Sequence, residues 1–251
     1  MSSWALRRQV LIISFIIAVT IGFFYFIYAN FFYTGPTCSD GIQNGREEGI
    51  DCGGGCVQIC PFSATETNVL WSRSFQVVDG VYNIAALVSN PNFDLRVSQG
   101  YRFQMYNREN VLVEEVTGLI NLAPAEVRPI FIPTVNVGER EISSTFFSFT
   151  GEPVLERGEE LDRNIIVRSR RLVDTDTEPE LYVTLYNQSI RPQQNLEVVA
   201  VLYDRNDNVY QASKTFVDSI NRDSEAEIFF TWPQPFDQEI AKTDIFVITQ
   251  Q

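Results

Sequence analysis

Arg7 and Arg8 are followed by no charged side chain until Asp40, and Val, Leu, Ile, Phe and Ala dominate the interval. A helix needs roughly 20 apolar residues to cross the hydrocarbon core of a bilayer, and Val10–Phe32 supplies that length. Two arginines before the run and an acidic chain after it predict a cytoplasmic N-terminus, with everything else in the periplasm or outside the cell. The expected start is therefore a cytoplasmic stub (1–9) and a transmembrane helix (10–32). A signal-peptide apolar region is roughly 7–15 residues long and ends at a small-x-small site. This run is longer, and bulky Ile27 stands two positions before Ala29, so an uncleaved single-pass anchor is expected. Tyr25, Tyr28 and Tyr33 fit an interfacial aromatic belt, and equally fit as ordinary helix residues.

The chain has 19 basic and 32 acidic residues, a net charge of −13, and no histidine. Without Arg7 and Arg8 the balance is 17 against 32, or −15. That excess argues against nucleic acid and anionic lipid surfaces as partners, since both call for basic patches. Lack of histidine removes the commonest general base and the Ser-His-Asp and Cys-His arrangements. Carboxylate-only chemistry of the glycosidase kind stays open, but spacing singles out no acidic pair. There is no phosphate-binding glycine loop or dinucleotide fingerprint either. No catalytic residue is assigned, and the expectation is a protein that is not an enzyme.

All four cysteines, Cys38, Cys52, Cys56 and Cys60, fall within a stretch assigned as a cysteine-rich knot (33–64). Outside the cytoplasm such clustering reads as disulfides, and four cysteines allow three pairings. A segment this short cannot bury a useful core, so covalent links would have to hold it together. A four-thiolate zinc site is the alternative. Asp40, Asn44, Glu47, Glu48 and Asp51 recur among glycines and form a candidate calcium ligand set, because calcium takes six to eight oxygens. The competing reading is that Asp-Gly and Asn-Gly are turn formers. No other cofactor is expected. The stretch resembles a Cys-x-Asp-Gly-x-x-Asn-Gly-x-Glu-x-Gly-x-Asp-Cys-Gly-Gly-x-Cys motif of bacterial and some eukaryotic surface proteins. That resemblance implies a surface protein.

From about residue 65, short runs of Val, Ile, Phe, Tyr and Thr are punctuated by Asn, Asp, Gly or Pro, which is a strand-and-turn pattern. Strands are predicted at 69–78, 82–88, 99–106, 111–116, 127–135 and 142–149. The turns include Asp79-Gly80 and Asn107–Asn110. The second half echoes the first: Ala86-Leu-Val-Ser-Asn90 aligns with Val183-Thr-Leu-Tyr-Asn187, and Pro129-Ile-Phe-Ile with Glu227-Ile-Phe-Phe. A spacing of this size means two copies of a whole domain and not a solenoid, whose repeats are roughly 20–50 residues. The fold class expected is mainly β: a transmembrane helix, a small disulfide-rich segment and two tandem immunoglobulin-like β-sandwiches (65–150 and 164–251) joined by a linker (151–163). Pro153 and the linker's charges argue against a strand running straight through it.

Phe103-Gln-Met105-Tyr106-Asn107 and Ala200-Val-Leu202-Tyr203-Asp204 resemble the Phe-x-Leu-Tyr-Asp signature of the FxLYD domain, a bacterial extracytoplasmic β-sandwich. Asn90 and Asn187, each ending the preceding strand, also fit. The resemblance implies export and non-catalytic association and supplies no active site. Read physically, alternate residues of the motif pack inward, the Tyr covers a sandwich edge, and Asn or Asp starts the hairpin turn. Alternation puts Arg168 and Arg170 on one strand face. Trp71 and Trp232 read as core residues more readily than as exposed anchors, and Asn187-Gln-Ser189 fits a glycosylation sequon.

The function expected is a membrane-anchored, non-catalytic envelope protein that engages the bilayer through one helix and another envelope protein or a glycan through its sandwiches. The rivals are a subunit of a secretion, pilus-assembly or division complex, and a carboxylate-based glycan hydrolase.

Overall fold

The computed structural model describes residues 3–29 and 35–249, apart from the side chains of residues 3–6 and Pro61. The chain divides into two compact units, Met1–Cys56 and Val57–Gln251.

In the first unit, helix α1 (Ser3–Ile27) leaves the apolar side chains from Val10 to Phe26 exposed. Its segment Arg7–Ile27 has a mean hydropathy of 2.7 and none of it is buried. A helix apolar all round that no protein covers is suited to lipid, so α1 supplies a means of membrane anchoring. The expected outer end of the span at Phe32, and Tyr33, lie outside the described residues. The cysteine-rich segment that follows has no strand or helix among its described residues up to Cys56 and is built of turns.

The second unit is all β: β1 (Gln58–Ile59), β2 (Asn68–Val78), β3 (Val81–Ser89), β4 (Leu95–Tyr106), β5 (Leu112–Leu122), β6 (Val127–Asn136), β7 (Ser144–Arg157), β8 (Ile165–Val173), β9 (Glu180–Asn187), β10 (Gln193–Tyr203), β11 (Val209–Ile220), β12 (Ser224–Thr231) and β13 (Lys242–Thr249). Sheets β2-β3-β6 and β1-β7-β4-β5 form one immunoglobulin-like sandwich, and β12-β9-β8 and β11-β10-β13 form the second. Apart from β1, strand pairing in the second sandwich follows that of the first with every strand number raised by six. Each sandwich has its own core. Ile84, Ala86, Val88, Phe103, Met105 and Leu122 lie in the first, and Val183, Leu185, Ala200, Leu202 and Phe230 in the second. The six strands predicted for the first sandwich all form, with β4, β5 and β7 longer than expected.

The linker differs from expectation. Strand β7 runs on to Arg157 through Gly151 and Pro153. It does so by a bulge: Ser98 faces Val154 and Gly100 faces Thr150, so one residue of β4 opposes three of β7. Gly151 supplies a φ of 71° there, a conformation that costs glycine little. The connection between the sandwiches is thereby reduced to Gly158–Asn164.

A third cluster joins the two sandwiches. Phe75, Ala85 and Phe131, on the outer face of β2-β3-β6, are buried with Val199, Val201, Tyr203 and Ala212 of β10 and β11, and Trp71 packs beside them. This explains why Val198–Tyr203 is buried at every residue, whereas its counterpart on β4 alternates. A strand covered on both faces reads as a continuous apolar run.

Candidate functional site

The expected calcium ligands Asp40, Asn44, Glu47, Glu48 and Asp51 lie in the first unit, where carboxylate oxygens of Asp40, Glu47 and Asp51 accept hydrogen bonds from within the segment. Asp51 Oδ1 accepts the Asp40 N–H at 2.8 Å and its Oδ2 accepts that of Gly41 at 2.9 Å. Asp40 accepts from Ile42 N at 3.0 Å, Asn44 Nδ2 at 2.9 Å and Thr37 N at 3.2 Å. Glu47 Oε2 accepts the Asn44 N–H at 3.1 Å. Asn44 Oδ1 is enclosed and accepts no protein hydrogen bond. These contacts tie turns together, which a segment with no hydrophobic core requires. Asp40's carboxyl is held below its ordinary range, chiefly by the Asn44 side-chain hydrogen bond and then by that of the Thr37 N–H.

Among the described residues, Cys38, Glu47 and Cys56 form a group close enough to suggest a metal site. Cys38 and Cys56 are bonded to each other, with Cα atoms 5.7 Å apart and a sequence separation of 18. Their sulfurs are therefore not thiolates, and only thiolates bind metal in this way. Glu47 Oε1, 3.6 Å from Cys56 Sγ, meets a disulfide sulfur that has no proton to donate. Cys52 and Cys60 are also disulfide-bonded, and no described cysteine is free. The Cys38–Cys56 cross-link closes a loop worth about 3 kcal/mol of unfolded-chain entropy.

The paired motif residues sit at equivalent places with equivalent bonds. Asn107 Oδ1 accepts the N–H groups of Glu109 and Val111 at 3.0 and 2.9 Å. Asp204 Oδ1 accepts those of Asn206 and Asn208 at 2.7 and 2.9 Å. Each side chain organises the hairpin after its strand, as its residue type predicts. Phe103, Met105 and Leu202 are fully buried core residues. The two tyrosines differ. Tyr106 is half-buried at the end of β4, between β5 and β7, with its ring 5.8 Å from that of Phe146, whereas Tyr203 is enclosed in the cluster between the sandwiches.

Asp204's carboxyl lies below its ordinary value of 3.8, mainly through the Asn208 N–H and then its side chain. A carboxylate with a depressed folded pKa adds stability above the unfolded pKa and loses it as pH falls through the folded one. Asn107 shows that a neutral amide can hold the same turn. Asp204→Asn is therefore expected to lose less melting temperature between pH 6 and pH 3 than the unaltered chain, as measured by thermal denaturation.

A second matched pair was not singled out as a site. Asn90 and Asn187 are 1% and 0% exposed. Asn90 Nδ2 donates to Leu95 O and Ala123 O at 2.7 and 2.8 Å. Asn187 Nδ2 donates to Arg191 O, Ile220 O and Asn221 O at 2.8, 3.0 and 3.1 Å. The sequon at Asn187 is thus closed to glycosylation in the folded chain. Trp232 lies in the second core and Trp71 against the cluster between the sandwiches. Arg168 and Arg170 do not share a face, because the pairing register shifts between Val167 and Ser169. Arg168 lies 3.6 Å above the Tyr186 ring, while Arg170 reaches Thr243 O on β13.

A groove of about 480 Å³ runs beside the linker, and its acidic lining residues are Glu126, Glu160 and Asp162. Glu126 is committed: its Oε2 accepts the Ala123 N–H at 2.7 Å and its Oε1 is 3.6 Å from Arg128. Glu160 and Asp162 are exposed on the linker.

No family model and no curated protein matches the chain. Solved structures with some likeness include red sea bream transglutaminase (10% identity, 74% of this chain, 31% of that chain, TM-score 0.21). A Parabacteroides merdae β-glucuronidase has 9% identity over 68% of this chain and 28% of its own, with a TM-score of 0.21. The CBM22 tandem domain of Paenibacillus barcinonensis Xyn10C has 7% identity over 73% and 84%, with a TM-score of 0.17. The chain spans under a third of the length of the first two proteins, and likeness at these scores carries no argument about fold or function.

Proposed function

We propose that this chain is a non-catalytic, single-pass membrane protein whose two coupled sandwiches serve, on the extracytoplasmic side, as an interaction surface for another envelope protein or a glycan. One observation carries this reading: an uncovered apolar helix belongs to the same chain as a β body whose inner faces are filled by hydrophobic side chains. The disulfides support an oxidising compartment. The matched asparagines and matched turns support two copies of one FxLYD-like domain. Sheet faces and inter-strand loops are the surfaces left for binding.

Cross-linking of the full chain in its native membrane, followed by mass spectrometry, tests the proposal. Reproducible links from residues 57–249 to one envelope protein are expected. Links confined to α1 would favour a subunit of an envelope complex held through its helix, and an absence of heterologous links would overturn the protein-partner reading.

A further inference from the structure

The outer face of β12-β9-β8 is the counterpart of the face that the first sandwich buries. Phe131 on β6 is 5% exposed in the cluster between the sandwiches, while Phe229, at the matching place on β12, is 63% exposed. Ala85 on β3, wholly buried, is matched on β9 by half-exposed Tyr182. Within this chain such a face is covered by a sheet of another sandwich.

Residues cross this face in rows. In one, Glu225 on β12 neighbours Tyr186 on β9, and Arg168 from β8 lies over that tyrosine and pairs with Glu225. In the next, Glu227, Thr184 and Ser169 stand side by side, and in the third Phe229, Tyr182 and Arg171 do. Arg171 lies 4.7 Å above the Tyr182 ring. β12 thus contributes carboxylates and an exposed phenyl ring, and β8 contributes guanidinium groups that reach over the tyrosines of β9.

We infer that this face is the docking site for a second copy of the chain, related by a two-fold axis running along β9. Such an axis exchanges the two edges and keeps the rows in register. Glu225 of one copy meets Arg168 of the other, Phe229 meets Arg171, and Thr184 meets its own equivalent. Isologous contacts need a self-complementary patch, and carboxylates rooted on one outer strand with guanidinium groups rooted on the other provide one by exchanging partners between copies. The other candidate in a second copy, the outer face of β4 and β5, is less suited. Where the buried cluster has Val201 and Ala212, that face has Gln104 and Glu115, already hydrogen-bonded to each other at 2.9 Å.

The face is small. Three strands about 4.8 Å apart and eight residues at about 3.3 Å each give roughly 14 by 26 Å, at the size of transient interfaces. Confinement to a membrane raises the effective concentration, so the inference rests on the anchored reading and the contact is expected in the membrane, with weak association in dilute solution.

The test uses the full chain in native membranes with Thr184→Cys and a mild oxidant. A reducible species at twice the 28.6 kDa chain mass is expected. Leu119→Cys, on the exposed outer face of β5 and 86% exposed, is expected to give none. Adding Glu225→Arg to one Thr184→Cys chain and Arg168→Glu to another should each cut the cross-link several-fold when expressed alone. Expressed together they should restore it as a heterodimer, although each still lacks its internal ion pair. No Thr184→Cys dimer, equal linking through Leu119→Cys, or no recovery on co-expression would overturn the inference. Links formed only between a Thr184→Cys chain and a Leu119→Cys chain would also overturn it, in favour of head-to-tail packing. Fractionating the same samples reports anchoring separately, so a membrane-bound chain without cross-links contradicts the dimer and leaves the anchor intact.

Discussion

Replacing Asn187 with leucine is expected to destabilise the second sandwich by about 3 kcal/mol, since each buried carbonyl left without a donor costs about 1–3 kcal/mol. Asn187 is fully buried and its amide serves the carbonyls of Ile220 and Asn221 and that of Arg191, which also accepts from Ser189 Oγ at 2.7 Å. Leucine matches the side chain in shape and supplies no donor. The loss corresponds to roughly 10 °C of melting temperature for a body of this size, readable by thermal denaturation. Asn90→Leu should act in the same direction in the first sandwich through Leu95 O and Ala123 O. A melting temperature unchanged by Asn187→Leu would mean that the carbonyls of Ile220 and Asn221 find other donors, and the amide would then not be the brace described here.

Val201→Asp is expected to uncouple the sandwiches without unfolding either. Val201 is wholly buried among Phe75, Ala85, Phe131, Tyr203 and Ala212. An unpaired carboxylate there meets a desolvation cost of several kcal/mol. Separation relieves that cost, because each sandwich keeps its own core. Protease cleavage within Gly158–Asn164 provides the readout. Fragments of the unaltered chain should stay associated on size-exclusion chromatography and those of the variant should separate, with far-ultraviolet circular dichroism preserved in both. Fragments of Val201→Asp that stay together would contradict the described coupling.

Much of the fold was legible because one face of most strands is buried and the other is not. Runs of Val, Ile, Phe, Tyr and Thr between turn residues located all six strands of the first sandwich, and Asp79-Gly80 marked a hairpin that the structure contains between Val78 and Val81. Alternation fails where both faces are covered. The run Val198-Val-Ala-Val-Leu-Tyr203 is the trace of the inter-sandwich cluster, and reading it only as a strand missed what covers its outer face. The β7 extension was illegible for a local reason: glycine and proline usually end strands, and here a bulge accommodates both.

The candidate site was legible in part. Asn107 and Asp204 start turns as their types predict, and the inward residues Phe103, Met105 and Leu202 are core. The knot's acidic residues could not be assigned from spacing, because a turn-bracing carboxylate and a calcium ligand have the same pattern. In the structure, backbone N–H groups reach carboxylate oxygens of Asp40, Glu47 and Asp51, which is the turn-bracing use. Three cysteine pairings were open, and the structure joins Cys38 to Cys56.

The central claim is that α1 anchors the chain and everything after it lies outside the cytoplasm. The most direct test is to treat cells, with the outer envelope opened where there is one, with external protease, and to follow alkaline extraction of their membranes. The account predicts that the chain resists extraction and that residues from Gly35 onward are digested from outside. Release into the soluble fraction, or full protection from external protease, would contradict it.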